Sequence, residues 1–181
     1  MAVTDLQDRY AGRPAAVLGG GPSLPGDLAR LPKNSLLISV NDHALHYCHP
    51  EFLVFLDIPN AQILPELADA VDRFDGMRVS ITPLSDIDLS GSGYWDGGFT
   101  STLATWLGCY LGCDPVILCG MDCYQGETKY CHPRPDFYHP VMDYPLEMHF
   151  AGWRPALEKC PHPERIRAMS GPLVELFGAY E

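Results

Sequence analysis

Basic residues are scarce in this sequence of 181 residues, and long apolar runs are absent. Lys and Arg number 12 against 23 Asp and Glu, so the formal net charge is −11 with His neutral. This balance argues against a broad surface for a nucleic-acid polymer. No apolar run reaches the ~20 residues that span a bilayer, and the polar N-terminus does not resemble a signal peptide. We therefore expect a cytoplasmic protein without a transmembrane segment.

The paired CxxC ligands of a zinc ribbon are also missing. The seven cysteines are odd in number and no export signal accompanies them, so we expect reduced thiols rather than a disulfide framework. The cysteines can be buried thiols and the histidines surface imidazoles, so neither residue type requires a metal. We therefore predict no metal site. The nearest approach to metal-ligand spacing is formed by His43, His46, Cys48, His49, Cys131 and His132.

Short apolar runs alternate with helical patterns along the chain. Strands are predicted at residues 14–19, 35–40, 52–56, 77–81, 115–119 and 165–169. Helices are predicted at 2–10, 24–31, 61–74, 100–112, 151–159 and 172–180, with a helical turn at 42–47 and a polar loop at 85–98. Strands that are apolar throughout are typical of parallel sheets covered by helices. We predict an α/β, Rossmann-like doubly wound fold, with a mainly parallel sheet of about six strands in one domain over 1–181.

Residues 120–148 contain Pro, Gly, His and Tyr without a helical or strand period. Loops of this length are usually either disordered or functional, and the aromatic content favours function. We therefore interpret residues 123–148 as a lid-like insertion.

Small, polar or acidic residues follow four of the predicted strands. Ligands bind beyond the carboxyl ends of the strands in open parallel sheets, although turns alone also favour Gly, Asn and Asp. Three glycines before a predicted helix allow backbone N–H groups to approach a phosphate, and Ser23 could cap that helix or donate to the anion. We expect one nucleotide site from Gly19, Gly20, Gly21, Pro22, Ser23, Asn41, Asp57, Gly120 and Asp122.

Two blocks of the sequence resemble the bacterial CMP-sialic-acid-dependent sialyltransferases. The first is the Gly-rich segment 18–24, followed by an apolar strand that ends in Asn41. The second is LCGMDCYQ at 118–125, where that family has G-I-D-F-Y-Q, with a second Tyr at the family's offset in Tyr130. The resemblance covers roughly residues 14–178. It extends to the related motility accessory factor and archaeal-type 6-hydroxymethylpterin diphosphokinase group.

The resemblance implies a glycosyltransferase that uses a CMP-activated sugar such as CMP-sialic acid, needs no cofactor and acts on an unknown acceptor. The oligomeric state is not determined by the sequence, and a homo-oligomer is one possibility. The resemblance also implies that Tyr124 and Tyr130 donate hydrogen bonds to the departing phosphate and that His149 is the general base. Thr100 and Ser101 lie where the family has Thr-Ser-Gly, although Thr102 replaces that Gly here. The remaining implied nucleotide contacts come from Gly20, Gly21, Ser23, Asn41, Gly120 and Asp122.

The residue types fit the chemistry of such a transfer. An acceptor hydroxyl must lose its proton, and a His with a pKa near ~6.5 suits that role. Tyr O–H groups can stabilise charge that develops on a phosphate. His132 and His139 are alternative bases. Two other functions stay open: a diphosphokinase that would hold Mg²⁺ through Asp57 and Asp122, and a non-catalytic, phage-type nucleotide-binding accessory protein.

Overall fold

The computed structural model describes residues 3–57, 64–82, 84–90, 98–133 and 140–181. Seven strands form one sheet in this part of the chain, and every neighbouring pair is parallel. The strands are β1 (Ala15–Leu18), β2 (Leu36–Val40), β3 (Phe52–Val54), β4 (Met77–Ser80), β5 (Ile87–Asp88), β6 (Val116–Cys119) and β7 (Ile166–Ala168). Their order across the sheet is β5-β4-β3-β2-β1-β6-β7, which confirms the predicted α/β class.

The sheet has one strand more than the sequence predicts. The additional strand is β5, which lies inside the segment 85–98 that was expected to be a loop. It has two residues and pairs with β4 through Val79 and Ile87. A strand of this length shows no period in the sequence, which is why the polar character of its surroundings dominates the prediction.

Five α-helices accompany the sheet in the described residues. They are α1 (Leu24–Leu28), α2 (Pro65–Arg73), α3 (Thr100–Tyr110), α4 (Leu146–Lys159) and α5 (Val174–Phe177), with 3₁₀ turns at Val3–Leu6, His43–His46, Pro140–Asp143 and Pro163–Arg165. The predicted helix at 2–10 is therefore a single 3₁₀ turn, and residues 61–63 of another lie outside the described residues. Helix α4 begins at Leu146 rather than at 151, directly after Pro145. Proline fixes φ and is well tolerated at a helix start.

Both faces of the sheet are covered by apolar side chains. In β1, Ala15 and Val17 belong to the larger core, whereas Ala16 and Leu18 point into a second core on the opposite face. Helix α3 is buried from Thr102 to Tyr110. This double burial is the reason that the strands read as unbroken apolar runs. No helix in the described ranges is both long and apolar enough to cross a membrane.

All seven cysteines lie in the described part of the chain, and none of them forms a disulfide bond. Burial raises the pKa of Cys113 to about 12, and it raises the pKa of Cys123, beside Asp122, to about 12 as well. These thiols are therefore protonated and poorly nucleophilic at neutral pH.

The strand order reverses at β1, which pairs with β2 on one side and with β6 on the other. Leu18 and Cys119, the last residues of β1 and β6, are partners in this pairing. The crevice beyond these two carboxyl ends is the topological switch point of the sheet. In open α/β sheets this is where ligands bind.

Candidate functional site

A cavity of about 470 Å³ opens at the switch point, and we call it the switch-point cavity. Its volume lies in the range of small-molecule sites, roughly 300–1,000 Å³. Most residues that the sequence predicts for the site line it: Gly19, Gly20, Gly21, Asn41, Asp57, Thr100, Ser101, Gly120, Asp122, Tyr124, Tyr130 and His149. Pro22 and Ser23 are not part of this lining. The topology thus gathers strand ends that are up to about a hundred residues apart in sequence.

The glycines after β1 are required by close packing against their neighbours. A Cβ at Gly21 would lie 1.9 Å from Asp122 Oδ2, and one at Gly20 would lie 2.6 Å from the His43 ring. The N–H of Gly21 donates to the carbonyl of Gly120 at 2.8 Å. The loop is therefore shaped by contacts with other segments of the protein as well as by its exposure to the cavity.

Ser23 has a different role from the one that the sequence suggests. Its hydroxyl donates to Asp122 Oδ2 at 2.8 Å and lies 3.1 Å from Asp27 Oδ2. Its backbone N–H also donates to Asp122, at 3.2 Å. Ser23 provides no side-chain cap for α1, which has only five residues. The protein's own carboxylate thus takes the position at Ser23 where the sequence analysis expected a phosphate.

Asp27 is a structural residue that the sequence analysis did not identify. It is 2% exposed, and its Oδ2 accepts hydrogen bonds from the Gly120 N–H at 2.9 Å and from Ser170 Oγ at 2.8 Å. Arg30 donates to Oδ1 at 2.9 Å. Asp27 therefore links α1 to the turn after β6 and to the segment after β7. Nothing in the local pattern of α1 distinguishes it from an ordinary surface Asp.

Asn41 lines the switch-point cavity directly after β2. Its φ of 52° is in the left-handed region, which Asn tolerates better than most residues. Its backbone is fixed by a donation from its N–H to Val54 and by one from Ser39 Oγ to its carbonyl. The buried Oδ1 of Asn41 has no hydrogen-bond partner among the described residues. A buried polar atom of this kind is costly unless a ligand or water pairs with it.

His149 lies in the first turn of α4 and is 4% exposed. Its ring lies among Phe99, Tyr124 and Tyr144, with centroid distances of 5.7, 5.9 and 6.0 Å. Burial lowers its pKa, and a hydrogen bond with the Val141 backbone partly opposes that shift. Nε2 has no partner within the described ranges. The ring is therefore a neutral imidazole that lines the cavity and retains one nitrogen for a ligand.

Tyr124 and Tyr130 converge within the cavity, where their hydroxyl oxygens are 3.3 Å apart. Tyr130 also stacks on His43 at a centroid distance of 5.2 Å. Lys129 lines the cavity beside them and donates to the carbonyl of Tyr124 at 2.6 Å. The sequence analysis missed Lys129, although a lysine between the two predicted tyrosines was a signal for it.

The first residues of α3 supply a second polar region of the cavity. Thr100 and Ser101 line it, and the N-cap residue, Phe99, gives no side-chain cap. The N-terminus of an 11-residue helix carries a partial positive charge and backbone N–H groups that suit an anion. Thr102, which stands where the resembled family has Gly, donates from Oγ1 to the Phe99 carbonyl at 2.7 Å.

Charges in the described lining are mixed. Asp42, Asp57 and Asp122 contribute carboxylates, whereas Lys129 contributes a cation. Of the alternative bases, His132 does not line this cavity, and His139 lies outside the described residues. Asp57 and Asp122 do not belong to the group with metal-ligand geometry that the described residues contain.

No protein-family profile and no curated protein sequence matches this chain. Among solved structures, the chain is similar to the sialyltransferase CstII from Campylobacter jejuni, in a complex with a substrate analogue, cytidine-5'-monophosphate. The TM-score is 0.59 at 13% sequence identity, and the match covers 94% of this chain and 86% of that chain. This similarity concerns the fold alone: the chain shares the α/β fold of that structure.

Proposed function

We propose that this protein is a glycosyltransferase that uses a nucleotide-activated sugar, and that the activated sugar is a CMP-sugar such as CMP-sialic acid. One observation carries the proposal: His149, Tyr124 and Tyr130 line the same cavity at the switch point. Nε2 of His149 has no partner among the described residues, and the two Tyr hydroxyls lie 3.3 Å apart. The similar fold of a sialyltransferase that was solved with cytidine-5'-monophosphate supports the choice of nucleotide.

The proposed reaction needs a base for the acceptor. His149 is suited to this because its pKa is lowered by burial, so Nε2 carries a lone pair at neutral pH. The Val141 backbone holds the other side of the ring. Nε2 would take the proton of the acceptor hydroxyl as the new glycosidic bond forms. The proposal leaves the identity of the acceptor open.

The leaving group in the proposed reaction is a nucleoside monophosphate, which gains negative charge as the bond to the sugar breaks. Tyr124 and Tyr130 would donate their O–H groups to it from their common position in the cavity. The ammonium of Lys129 and the N-terminus of α3 lie in the same lining and favour the same charge. The turns at Gly120 and Asn41 would hold the nucleoside, and the unpaired Oδ1 of Asn41 would accept one of its polar hydrogens.

The test measures CMP binding by calorimetry and the hydrolysis or transfer of CMP-sialic acid by the wild-type chain, Tyr124→Phe and Tyr130→Phe. These changes remove only an O–H, so the packing of each ring should survive. Turnover should fall by roughly 10–10³-fold for each hydroxyl, the scale of one lost donor to a developing negative charge or somewhat less. CMP binding should weaken far less.

Tyr180→Phe is the matched control, because Tyr180 packs against the second core and does not line the cavity. Its turnover should equal that of the wild type. A wild-type chain that neither binds cytidine nucleotides nor turns over a CMP-sugar would refute the proposal. Binding without turnover would favour a nucleotide-binding accessory protein over a transferase that uses CMP-sialic acid.

A further inference from the structure

A second group of polar side chains lies beside the switch-point cavity. Asp42, His46 and His132 bring their carboxylate oxygen and ring nitrogens within 4.8 Å of one another. Asp42 and His132 are buried, whereas His46 is exposed. Two of these residues come from the turn after β2, and the third comes from the segment after β6, so the group exists only in the folded chain.

We propose that Asp42, His46 and His132 form a binding site for one divalent transition-metal ion of the Zn²⁺ type, which links the His43–His46 turn to the segment that carries Tyr130. Two imidazoles and one carboxylate are nitrogen and oxygen ligands that suit such ions, whereas Mg²⁺ prefers oxygen ligands alone. Three protein ligands leave a further coordination position, and the exposure of His46 places that side of the site next to solvent.

The spacing of the ligands suits the proposed ion. Asp42 is the N-cap of the 3₁₀ turn and His46 is its last residue, so one short turn carries two of the three ligands. Bonds of about 2.0–2.2 Å from a tetrahedral ion put ligand atoms roughly 3.3 Å apart. The present separations of up to 4.8 Å must close to this distance, and the His46 and His132 rings, which now stack at a centroid distance of 4.2 Å, must turn so that both present a nitrogen to the ion.

His132 is already held in place on two sides. His43 Nδ1 lies 3.0 Å from His132 Nε2, and metal-binding histidines usually make a hydrogen bond of this kind with their second ring nitrogen. The neighbouring residue, Cys131, donates its N–H to the Gly20 carbonyl at 2.8 Å and accepts a hydrogen bond from Tyr47. Little further ordering of this ligand would be required on binding.

A second cavity of about 400 Å³ gives access to the proposed site, and we call it the acidic cavity. Asp42 lines both cavities, and His46 lines the acidic one. Its other charged residues in the described lining are Glu66, Asp69, Arg73 and Asp75. Arg73 pairs with Asp69 at 2.8 Å, so the cavity has an excess of negative charge. Such a lining raises the local concentration of cations.

The test titrates Zn²⁺ into the chelator-stripped, full-length chain and follows the thermal unfolding midpoint and the metal content. We expect one ion per chain and a midpoint that rises with Zn²⁺ but not with Mg²⁺, because only the folded state has the site. His46→Ala should weaken Zn²⁺ affinity by about 10²-fold or more, since even residues that only support a ligand cost 10–100-fold.

The matched control is His49→Ala, because His49 is also exposed and lines the acidic cavity but lies outside the group. This variant should bind Zn²⁺ like the wild type. The unfolding midpoint of each variant without metal checks that it folds. Equal losses in His46→Ala and His49→Ala, or a wild-type chain that binds no Zn²⁺, would overturn the site.

Hydrogen exchange and Co²⁺ spectra complete the test. Zn²⁺ should slow exchange around His132 in the wild type and not in His46→Ala. Co²⁺ should bind without a thiolate-to-metal charge-transfer band. Such a band would assign the ion to Cys48 or Cys131 and would also overturn the proposal. These readouts do not depend on the proposed transferase activity.

Discussion

At the residue scale, His149 combines a lowered pKa with a ring nitrogen that has no hydrogen-bond partner among the described residues. We expect His149→Asn to lower turnover of a CMP-sugar by about 10²–10⁴-fold, the usual contribution of a general base, with little change in CMP affinity. The rate of the wild type should fall with decreasing pH as Nε2 becomes protonated. Because burial lowers the pKa of His149, this decline should have its midpoint below about 6.5, the ordinary value for His.

The measurement is the pH dependence of kcat/KM between pH 4.5 and 8 for the wild type and His149→Asn. The variant should lack the decline on the acid side, whatever its residual rate. A midpoint above pH 7, or the same decline in both proteins, would assign it to another group. The lowered pKa also affects stability. His149 is protonated at a higher pH in the unfolded chain than in the folded chain, so the free energy of unfolding decreases as the pH falls.

Gly21 and Asp122 make a second prediction at this scale, because a Cβ at Gly21 would clash with the Asp122 carboxylate. Gly21→Ala should lower the free energy of unfolding by about 1–3 kcal/mol, as overpacking does. Asp122→Ala should cost less in the Gly21→Ala background than in the wild type, since it removes the 1.9 Å contact and leaves only the Gly120 carbonyl, at 2.8 Å, close to the added Cβ. Urea unfolding of the two single variants and the double variant gives this coupling.

The control for this cycle is Gly26→Ala, because Gly26 lies in α1 and its added Cβ would have no heavy atom of the described residues within 4 Å beyond its own turn. Alanine should be favoured there by about 0.5–1 kcal/mol on helix propensity. Strict additivity of the Gly21 and Asp122 changes would contradict the contact. The contact also means that loss of CMP binding in a Gly21 variant would not by itself identify a phosphate site.

At the scale of elements, Asp27 joins α1 to two other segments through one buried carboxylate. Asp27→Ala should lower the free energy of unfolding by about 2–4 kcal/mol, because the Gly120 N–H and Ser170 O–H lose a buried charged partner. Asp69→Ala is the matched control, since Asp69 pairs with Arg73 at 2.8 Å on the exposed side of α2. Its cost should stay below about 0.5 kcal/mol, and similar costs for both variants would contradict the proposed role of Asp27.

The interpretation of residues 123–148 as a lid remains a prediction, and residues 134–139 within it lie outside the described residues. The described parts contribute Tyr124, Tyr130 and Tyr144 to the cavity lining. We expect amide exchange in 123–148 to be slower with saturating CMP than without ligand, because closure would exclude water from the cavity. Amide exchange in α3 serves as the internal reference. Equal exchange in 123–148 with and without CMP would exclude closure.

At the scale of the whole molecule, the alternation of apolar runs and helical patterns was enough to predict a parallel α/β sheet. The order of parallel strands then places the residues after β1, β2, β3 and β6 at one edge, and this rule accounts for Asn41, Asp57 and Gly120 in one lining. Local patterns carried this information because each buried strand is an apolar run that can be recognised by itself. The helical pattern between two such runs then indicates that the strands are parallel.

Other features depend on contacts that no local pattern contains. Ser23 donates to a carboxylate 99 residues away, so its hydroxyl is already engaged by the protein itself. The proximity of Asp42, His46 and His132 likewise depends on a turn and a loop from distant parts of the chain. Strand β5 is too short for its residues to form a period. Each case was decided by tertiary structure rather than by composition or spacing.

The excess of acidic residues has a consequence for how fast an anionic ligand reaches the switch-point cavity. A protein with a net charge of −11 repels a nucleotide monoanion or dianion at long range, even where Lys129 and the N-terminus of α3 favour it at contact. Salt screens charges beyond about 8 Å at 0.15 M ionic strength. Stopped-flow association of CMP should therefore become faster as NaCl rises from 10 to 150 mM. An association rate constant that falls over this range would mean that a local positive field directs the ligand instead.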